Sequence, residues 1–182
     1  MSTTARNDSH RLALGHFQAG RFSQAATAFT AAEMAYREAG DLTLAGEMLN
    51  NLGVVYRQQK QYGLALAALA QAEATFRELD DTFRLAQTLG NIGTVKLDKG
   101  VLDEAMADLQ QAVDMYVALG KRSEAAEVRL MMMRVRARQG RIRDALAQYQ
   151  AALRDLPNPT WSQRLARQLL KVLDRALGNR PV

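Results

Sequence analysis

A period of forty residues constrains this chain more strongly than any other feature of its sequence. Small residues and bulky residues both recur in register through four successive segments. The alanines are Ala25, Ala65, Ala105 and Ala145, and the bulky positions are Phe29, Leu69, Leu109 and Tyr149. Self-similarity at a fixed period of this size is the signature of a repeat array, in which each unit packs only on its neighbours.

Each unit is predicted to form two antiparallel helices. Apolar residues follow helical spacing from Leu64 to Phe76, and no proline interrupts the chain before Pro157. Asp41 and Asp81 are expected to cap the helices that follow them. No segment alternates with period two, so no sheet is expected. The turns are predicted at two series of positions, Gly20, Lys60, Gly100 and Gly140 within units and Gly40, Asp80 and Gly120 between them.

Two glycines fall inside predicted helices, at Gly53 and Gly93. A glycine there costs about 1 kcal/mol relative to alanine. Since both precede the in-register alanines Ala65 and Ala105 by the same number of residues, we expect them to let the two helices of a unit approach closely. The packing gained would offset the helix propensity lost.

Two segments carry a family resemblance, LNNLGVVYRQQKQYGLALAALAQAEATF (49–76) and LGNIGTVKLDKGVLDEAMADLQQAVDMY (89–116). They resemble the tetratricopeptide repeat, whose signature positions are matched in order by Leu52, Gly53, Tyr56, Ala65, Leu69 and Ala72. The forty-residue period and the N-L-G core are most similar to the long-repeat branch, which includes kinesin light chains, spindle-orientation adaptors and bacterial Rap-type regulators. The resemblance covers about residues 10–156. It implies an all-α, right-handed α-solenoid of four antiparallel helix pairs, to which we add a C-terminal capping helix.

The expected organisation follows from this register. Residues 1–9 are predicted to form a polar tail, and the capping helix is predicted at 157–178, with a short tail at 179–182. Asn158 and Pro159 fit an N-cap followed by proline at the first helical position. The apolar half of the helix, which includes Trp161, is expected to lie on the fourth repeat; a membrane-surface helix is the alternative. The four repeats are placed at about 10–40, 41–80, 81–120 and 121–156.

The resemblance also implies that a peptide lies in a concave groove lined by the first helix of each repeat. Asn51 and Asn91 are the strongest candidates, because a carboxamide both donates and accepts hydrogen bonds and can pair with a peptide backbone. The alternative is that they are ordinary polar residues of a helix face. The carboxylate clamp of chaperone-binding members is not recognisable, since His10 and Leu14 stand at its first-repeat positions. Carried over by position, the groove face comprises His10, Leu14, Phe17, Glu47, Asn50, Asn51, Val54, Arg57, Gln87, Asn91, Thr94, Asp98, Arg134 and Arg138.

The stretch LMMMRVRARQGRIRDA (130–145) taken alone would suit a nucleic-acid patch, a membrane-surface helix or a helical target. The register instead makes it part of the fourth repeat, with residues 131–133 at the positions of residues 91–93. The methionines are expected in the core, because unbranched side chains fill irregular gaps. Arg134 and Arg138 lie one helical turn apart on the groove face and would suit an acidic partner.

Charge is distributed unevenly along the chain. Residues 1–120 contain 10 Lys+Arg and 14 Asp+Glu, whereas residues 121–182 contain 14 and 5. The basic end would attract acidic partners or phosphates, and the alternative is a solvated terminus. Only 6% of residues are aromatic, which disfavours a base-stacking surface for nucleic acid.

Catalytic and metal chemistry is not expected. The chain has no cysteine, and its two histidines, His10 and His16, point in different directions on one predicted helix. No phosphate-loop or nucleophile motif occurs, so neither an enzyme nor a cofactor is predicted. The polar N-terminus lacks a signal core and no apolar run would span a membrane, so a cytoplasmic location is expected.

The sequence therefore predicts a non-catalytic interaction scaffold that binds a protein or peptide segment in its groove. The alternative is a nucleic-acid-associated or signalling regulatory module that uses the basic C-terminal face. Nothing in the sequence indicates an oligomeric state.

Overall fold

The computed structural model describes residues 3–156 and 160–176. The chain divides into two compact units, Met1–Ala112 and Val113–Val182. Each unit consists of α-helices joined by short turns, and no strand occurs within the described ranges. The helices are α1 (Thr3–Gln18), α2 (Phe22–Glu38), α3 (Leu42–Gln58), α4 (Tyr62–Glu78), α5 (Thr82–Lys99), α6 (Leu102–Ala118), α7 (Arg122–Arg138), α8 (Ile142–Asp155) and α9 (Trp161–Ala176).

Consecutive helices pack against each other, as the predicted all-α array of helix pairs requires. In the first unit α1 packs on α2, α2 on α3, α3 on α4, and α4 on α5. In the second unit α7 packs on α8. The predicted fold class is confirmed. One boundary was wrong: residues 3–9, expected to form a polar tail, belong to α1, because polarity alone does not end a helix and the segment contains neither proline nor glycine.

Every predicted turn position has a left-handed backbone. The five glycines at these positions have φ between 69° and 90°, and Lys60 and Asp80, which stand in the same register, have φ of 59° and 53°. The turns close with a bond from the amide beyond the turn to a carbonyl five residues earlier, as in Gln61 to Tyr56 at 2.9 Å. Asp41 also accepts a hydrogen bond from the Leu44 amide, which confirms its predicted role as an N-cap.

The first unit owes its tight helix pairs to the glycines within its helices. A Cβ on Gly53 would overlap the Leu69 side chain and stand 3.2 Å from the Ala65 carbonyl oxygen. Gly93 has the same surroundings, since a Cβ there would stand 2.6 Å from Cγ of Leu109. At both positions a side chain would overlap the leucine of the neighbouring helix, so glycine is the residue that fits. The core around the first two repeats includes Phe29, Tyr36, Met48, Leu52 and Val55.

The second unit is built around the α7–α8 pair. Met132 is buried, as the predicted core position requires, whereas Met131 and Met133 are half-buried. Arg129 of α7 and Asp155 of α8 form an ion pair with 2.9 Å between Nε and Oδ2, which holds the C-terminal end of α8 to α7.

The last helix starts two residues later than expected, at Trp161, and is less covered than expected. Asn158 and Pro159 lie outside the described residues, and the observed cap is a reciprocal pair. The Thr160 amide donates to Oε1 of Gln163 at 2.7 Å, and the Gln163 amide donates to Oγ1 of Thr160 at 3.3 Å. α9 contacts α8, but Trp161 is 75% exposed. The expectation that Trp161 is covered by the fourth repeat was wrong.

No helix within the described ranges is long and apolar enough to cross a membrane.

Lys60→Gly and Asp80→Gly should each stabilise the protein. Left-handed backbone costs a residue with a Cβ roughly 1–2 kcal/mol, and glycine's larger loss of chain entropy offsets part of that gain. We expect a net gain of roughly 0.5–1 kcal/mol, measured as a higher urea midpoint. The adjacent Gln59 has φ of −79°, so Gln59→Gly should lower the midpoint instead. A lower midpoint for Lys60→Gly would contradict this account of the turn.

Gly53→Leu should destabilise the protein by about 1–3 kcal/mol, because the new side chain has no room beside Leu69. Gly63 provides the matched control, since a Cβ there meets nothing within 4 Å. Gly63→Leu should leave the melting temperature unchanged or raise it through helix propensity. Equal melting temperatures for wild type and Gly53→Leu would rule out the proposed close packing.

Candidate functional site

Three pairs of buried or half-buried side chains join α3 and α5 in the first unit. They are spaced along the two helices, and each joins residues about one repeat apart in sequence. Glu47 binds Arg84 with 2.6 Å between Oε1 and Nε, and Arg57 lies 3.6 Å from Asp98. Between them Nδ2 of Asn91 donates to Oδ1 of Asn50 at 3.0 Å. The first helices of repeats two and three therefore form one braced surface.

A cleft of about 240 Å³ lies within this surface. α3 and α5 provide polar side chains, and α4 provides an aromatic ring, Phe76. The ring lies against Gly46, where a Cβ would stand 2.8 Å from its Cε1 atom. The bare backbone at Gly46 thus lets Phe76 reach the base of the cleft. The lining residues are Glu47, Asn50, Asn51, Phe76 and Gln87.

The asparagines of the cleft differ in their availability. Asn50 is buried and accepts the hydrogen bond from Asn91, so this pair supports the structure. Asn51 is half-buried, and its carboxamide has no hydrogen-bond partner among the described residues. The two strongest candidates from the sequence were Asn51 and Asn91. Asn91 donates to Asn50, whereas the donor and the acceptor of the Asn51 carboxamide are both unused among the described residues.

Arg84 determines the charge at the edge of the cleft. Its guanidinium binds Asp81 through Nη1 at 2.8 Å and Glu47 through Nε at 2.6 Å. The hydrogen bond to Asp81 and then that to Glu47 raise the pKa of Arg84, and the two carboxylates outweigh the opposing effect of burial. Glu47 therefore reaches the cleft as part of a paired group, and the cleft presents mainly neutral hydrogen-bonding atoms.

Other candidates on α3 and α5 have other roles. Thr94 is buried, and its hydroxyl donates to the Gly90 carbonyl of its own helix at 2.7 Å, so it offers no donor to a ligand. Arg57 is engaged with Asp98, while Val54 is half-buried beside the cleft residues on α3.

The candidates on α1 form aromatic contacts. The ring of His10 meets the ring of Tyr36 edge-on at 6.5 Å between centroids, and Phe17 packs against Phe22 at 5.9 Å. Leu14 is exposed. The two ring contacts hold α1 against α2. None of these three α1 residues lines the α3–α5 cleft.

Arg134 and Arg138 lie on α7, in the second unit. Both are exposed, and Nη1 of Arg134 lies 3.5 Å from the sulfur of Met131. They are one helical turn apart, so they form a local basic patch.

Among the described residues, no group of three or more His, Cys, Asp or Glu side chains is placed to hold a metal ion.

Comparison with known proteins identifies the repeats. A profile of the tetratricopeptide repeat matches residues 10–79, and a second profile of the same repeat matches residues 85–126. The chain belongs to the tetratricopeptide-repeat family. Members of this family are generally non-catalytic scaffolds. No curated protein sequence matches the chain significantly.

One solved structure shares the fold of this tetratricopeptide-repeat chain, and two others match it with lower TM-scores. BtubC (BKLC) from P. vanneervenii matches with a TM-score of 0.74 and 21% identity, over 85% of this chain and 67% of that one. MamA of MSR-1 matches with a TM-score of 0.46 and 17% identity, over 83% and 96% of the two chains. MamA of AMB-1 matches with a TM-score of 0.45 and 19% identity, over 90% and 98%.

Sequence reasoning missed one residue beside the tetratricopeptide-repeat cleft, since Arg84 was not placed on the groove face. Phe76 lines the base of the cleft but is buried as a core residue. The spacing of Arg84 from Asp81 and Glu47 was the available signal for an ion-pair network, but helical periodicity does not show which side chains of neighbouring repeats meet.

Asn91→Ala and Asn51→Ala should separate the structural amide from the available one. Asn91→Ala removes the partner of the buried Asn50, so it should cost about 1–3 kcal/mol. Asn51→Ala removes no bond within the described residues and should change stability by less than about 0.5 kcal/mol. Urea midpoints measure both. Equal destabilisation by the two substitutions would contradict the assignment.

Proposed function

We propose that the α3–α5 cleft binds an extended segment of a partner protein. Tetratricopeptide repeats generally mediate protein–protein interactions, and this chain contains them in both matched ranges. The observation that carries the proposal is the Asn51 carboxamide, which is half-buried at the cleft and has no partner in the described part of the chain.

The chemistry of the cleft suits a peptide backbone. A peptide unit presents one donor and one acceptor, and the carboxamide of Asn51 can satisfy both. Gln87 is exposed at the same cleft and provides a second carboxamide. The ring of Phe76, which is buried below them, closes the base of the cleft.

The charge at the cleft favours an internal segment over a chain terminus. Capture of a terminal carboxylate needs an available cation. No cation lines the cleft among the described residues, and Arg84, which pairs with the cleft residue Glu47, is also bound by Asp81. Neutral amides and a paired carboxylate then select an uncharged backbone.

The braced walls would lower the cost of binding. The Glu47–Arg84, Asn50–Asn91 and Arg57–Asp98 pairs fix α3 relative to α5 before any ligand arrives. A preorganised site loses less conformational entropy when it binds. The role proposed is therefore that of a non-catalytic scaffold with a ready-made cleft, whose partner is a protein or peptide. Independently of the cleft, the exposed Arg134 and Arg138 of the second unit would attract acidic residues of a partner.

A peptide-display library panned against the full chain tests this proposal. The affinity of a selected peptide should fall about five- to tenfold in Asn51→Ala, which corresponds to the loss of roughly one net hydrogen bond. Asn51→Ala combined with Gln87→Ala should weaken binding further. Isothermal titration gives the affinities, and circular dichroism confirms that the variants are folded.

The matched control is Gln71→Ala, since Gln71 is an exposed carboxamide residue on α4 that does not line the cleft. This variant should bind the peptide as wild type does. Selected peptides that bind the double variant with undiminished affinity would place the site elsewhere on the chain.

A further inference from the structure

An apolar stripe on α9 is uncovered. Trp161, Leu165 and Leu169 are 75%, 45% and 56% exposed. They recur every four residues, so they lie along one side of the helix. α9 contacts α8, yet that contact leaves this side open. The contact with α8 therefore leaves these three side chains available to another molecule.

The start of the stripe is fixed by the cap. Thr160 and Gln163 exchange hydrogen bonds at the first turn of α9, and Trp161 is the first residue of the helix. A reciprocal cap of this kind satisfies two backbone amides that would otherwise lack partners. The stripe is thus presented by a preformed helix, which need not pay the cost of helix nucleation when it binds.

Positive charge accompanies the stripe. Between residues 160 and 176 the sequence contains Arg164, Arg167, Lys171 and Arg175 against Asp174 alone. Arg164, which directly precedes Leu165 in the sequence, is exposed. An occupant of this surface must accept apolar side chains and several cations together.

A second copy of α9 does not meet that requirement. It would supply apolar side chains, but with four cations and one carboxylate per helix it brings no net negative charge for the cations to meet. An anionic lipid surface meets it, since its headgroups attract Lys and Arg while its acyl boundary accepts apolar side chains. Tryptophan favours this boundary because its ring is apolar and its N–H is polar.

We propose that α9 docks on the surface of an anionic lipid bilayer, with Trp161, Leu165 and Leu169 facing the acyl boundary. The helix lies on the surface and does not cross the bilayer. This proposal concerns α9 alone and is independent of peptide binding at the α3–α5 cleft.

Trp161 is the only tryptophan of the chain, so its fluorescence reports on α9 directly. The full chain is mixed with vesicles of phosphatidylcholine and phosphatidylglycerol in equal parts, and with vesicles of phosphatidylcholine alone. We expect an emission maximum typical of exposed tryptophan in the free protein, a blue shift and co-sedimentation with the anionic vesicles, and little change with the neutral ones. Added salt should weaken binding because it screens the headgroup charge.

Leu165→Glu combined with Leu169→Glu should abolish the shift and the co-sedimentation. Leu165→Ala combined with Leu169→Ala keeps helix propensity and should weaken both, which guards against a loss of helix in the first variant. Leu64→Glu is the matched control, since Leu64 is an equally exposed leucine, at 51%, on α4. The control should bind vesicles as wild type does.

Several results would overturn the proposal. Co-sedimentation without a tryptophan shift would mean that cations alone bind the vesicles and that the stripe stays in water. A blue-shifted tryptophan in the lipid-free protein, together with a dimer in sedimentation velocity, would assign the stripe to a second copy. No response to anionic vesicles, or an equal loss of binding in Leu64→Glu, would also reject it.

Discussion

The contact of leucine with bare backbone governs how the first unit is built. Leu69 and Leu109 lie where a Cβ on Gly53 or Gly93 would stand, so the second helix of each repeat can approach the first closely. That approach sets where α4 lies relative to α3, and where the part of α6 around Leu109 lies relative to α5. Because the same contact recurs forty residues later, the corresponding faces of α3 and α5 are brought side by side in register. The three pairs that join those faces depend on this register.

The cleft is formed by two kinds of constraint. Its walls are held by polar pairs, of which the Asn50–Asn91 hydrogen bond is the most buried. Its floor is held by packing, since Phe76 reaches the cleft over the bare backbone of Gly46. Glu47 and Asn50 are paired with α5, whereas Asn51 has no hydrogen-bond partner among the described residues. Under the proposed function, Asn51 is the residue that would meet the ligand.

Periodicity predicted those parts of the structure that depend on backbone geometry. It placed the turns at Lys60 and Asp80, the cap at Asp41 and the close approach at Gly53, because each of these is a property of one position in a repeating chain. It could not predict the partners of side chains. Asn91 and Asn51 share a residue type and a face, yet only Asn91 is engaged, since that depends on the neighbouring helix.

The same limit explains the errors at the two ends of the chain. A helical wheel shows that α9 has an apolar side but not whether a neighbour covers it, and Trp161 proved to be exposed. At the other end, polar composition was taken as a sign of an irregular tail, although α1 begins at Thr3. Both errors concern what surrounds a segment, which sequence pattern describes poorly.

The two strained turns have a consequence for motion. Lys60 and Asp80 each lie two residues from an end of α4, so residues with a Cβ in left-handed backbone stand in the turns at both ends of this helix. Strain of this kind lowers the free energy of local opening. Amide hydrogen exchange should therefore be fastest, among the inner helices of this unit, at the ends of α4. Phe76 lies near the C-terminal end of that helix, so local opening there would loosen the floor of the cleft while the pairs between α3 and α5 stay in place.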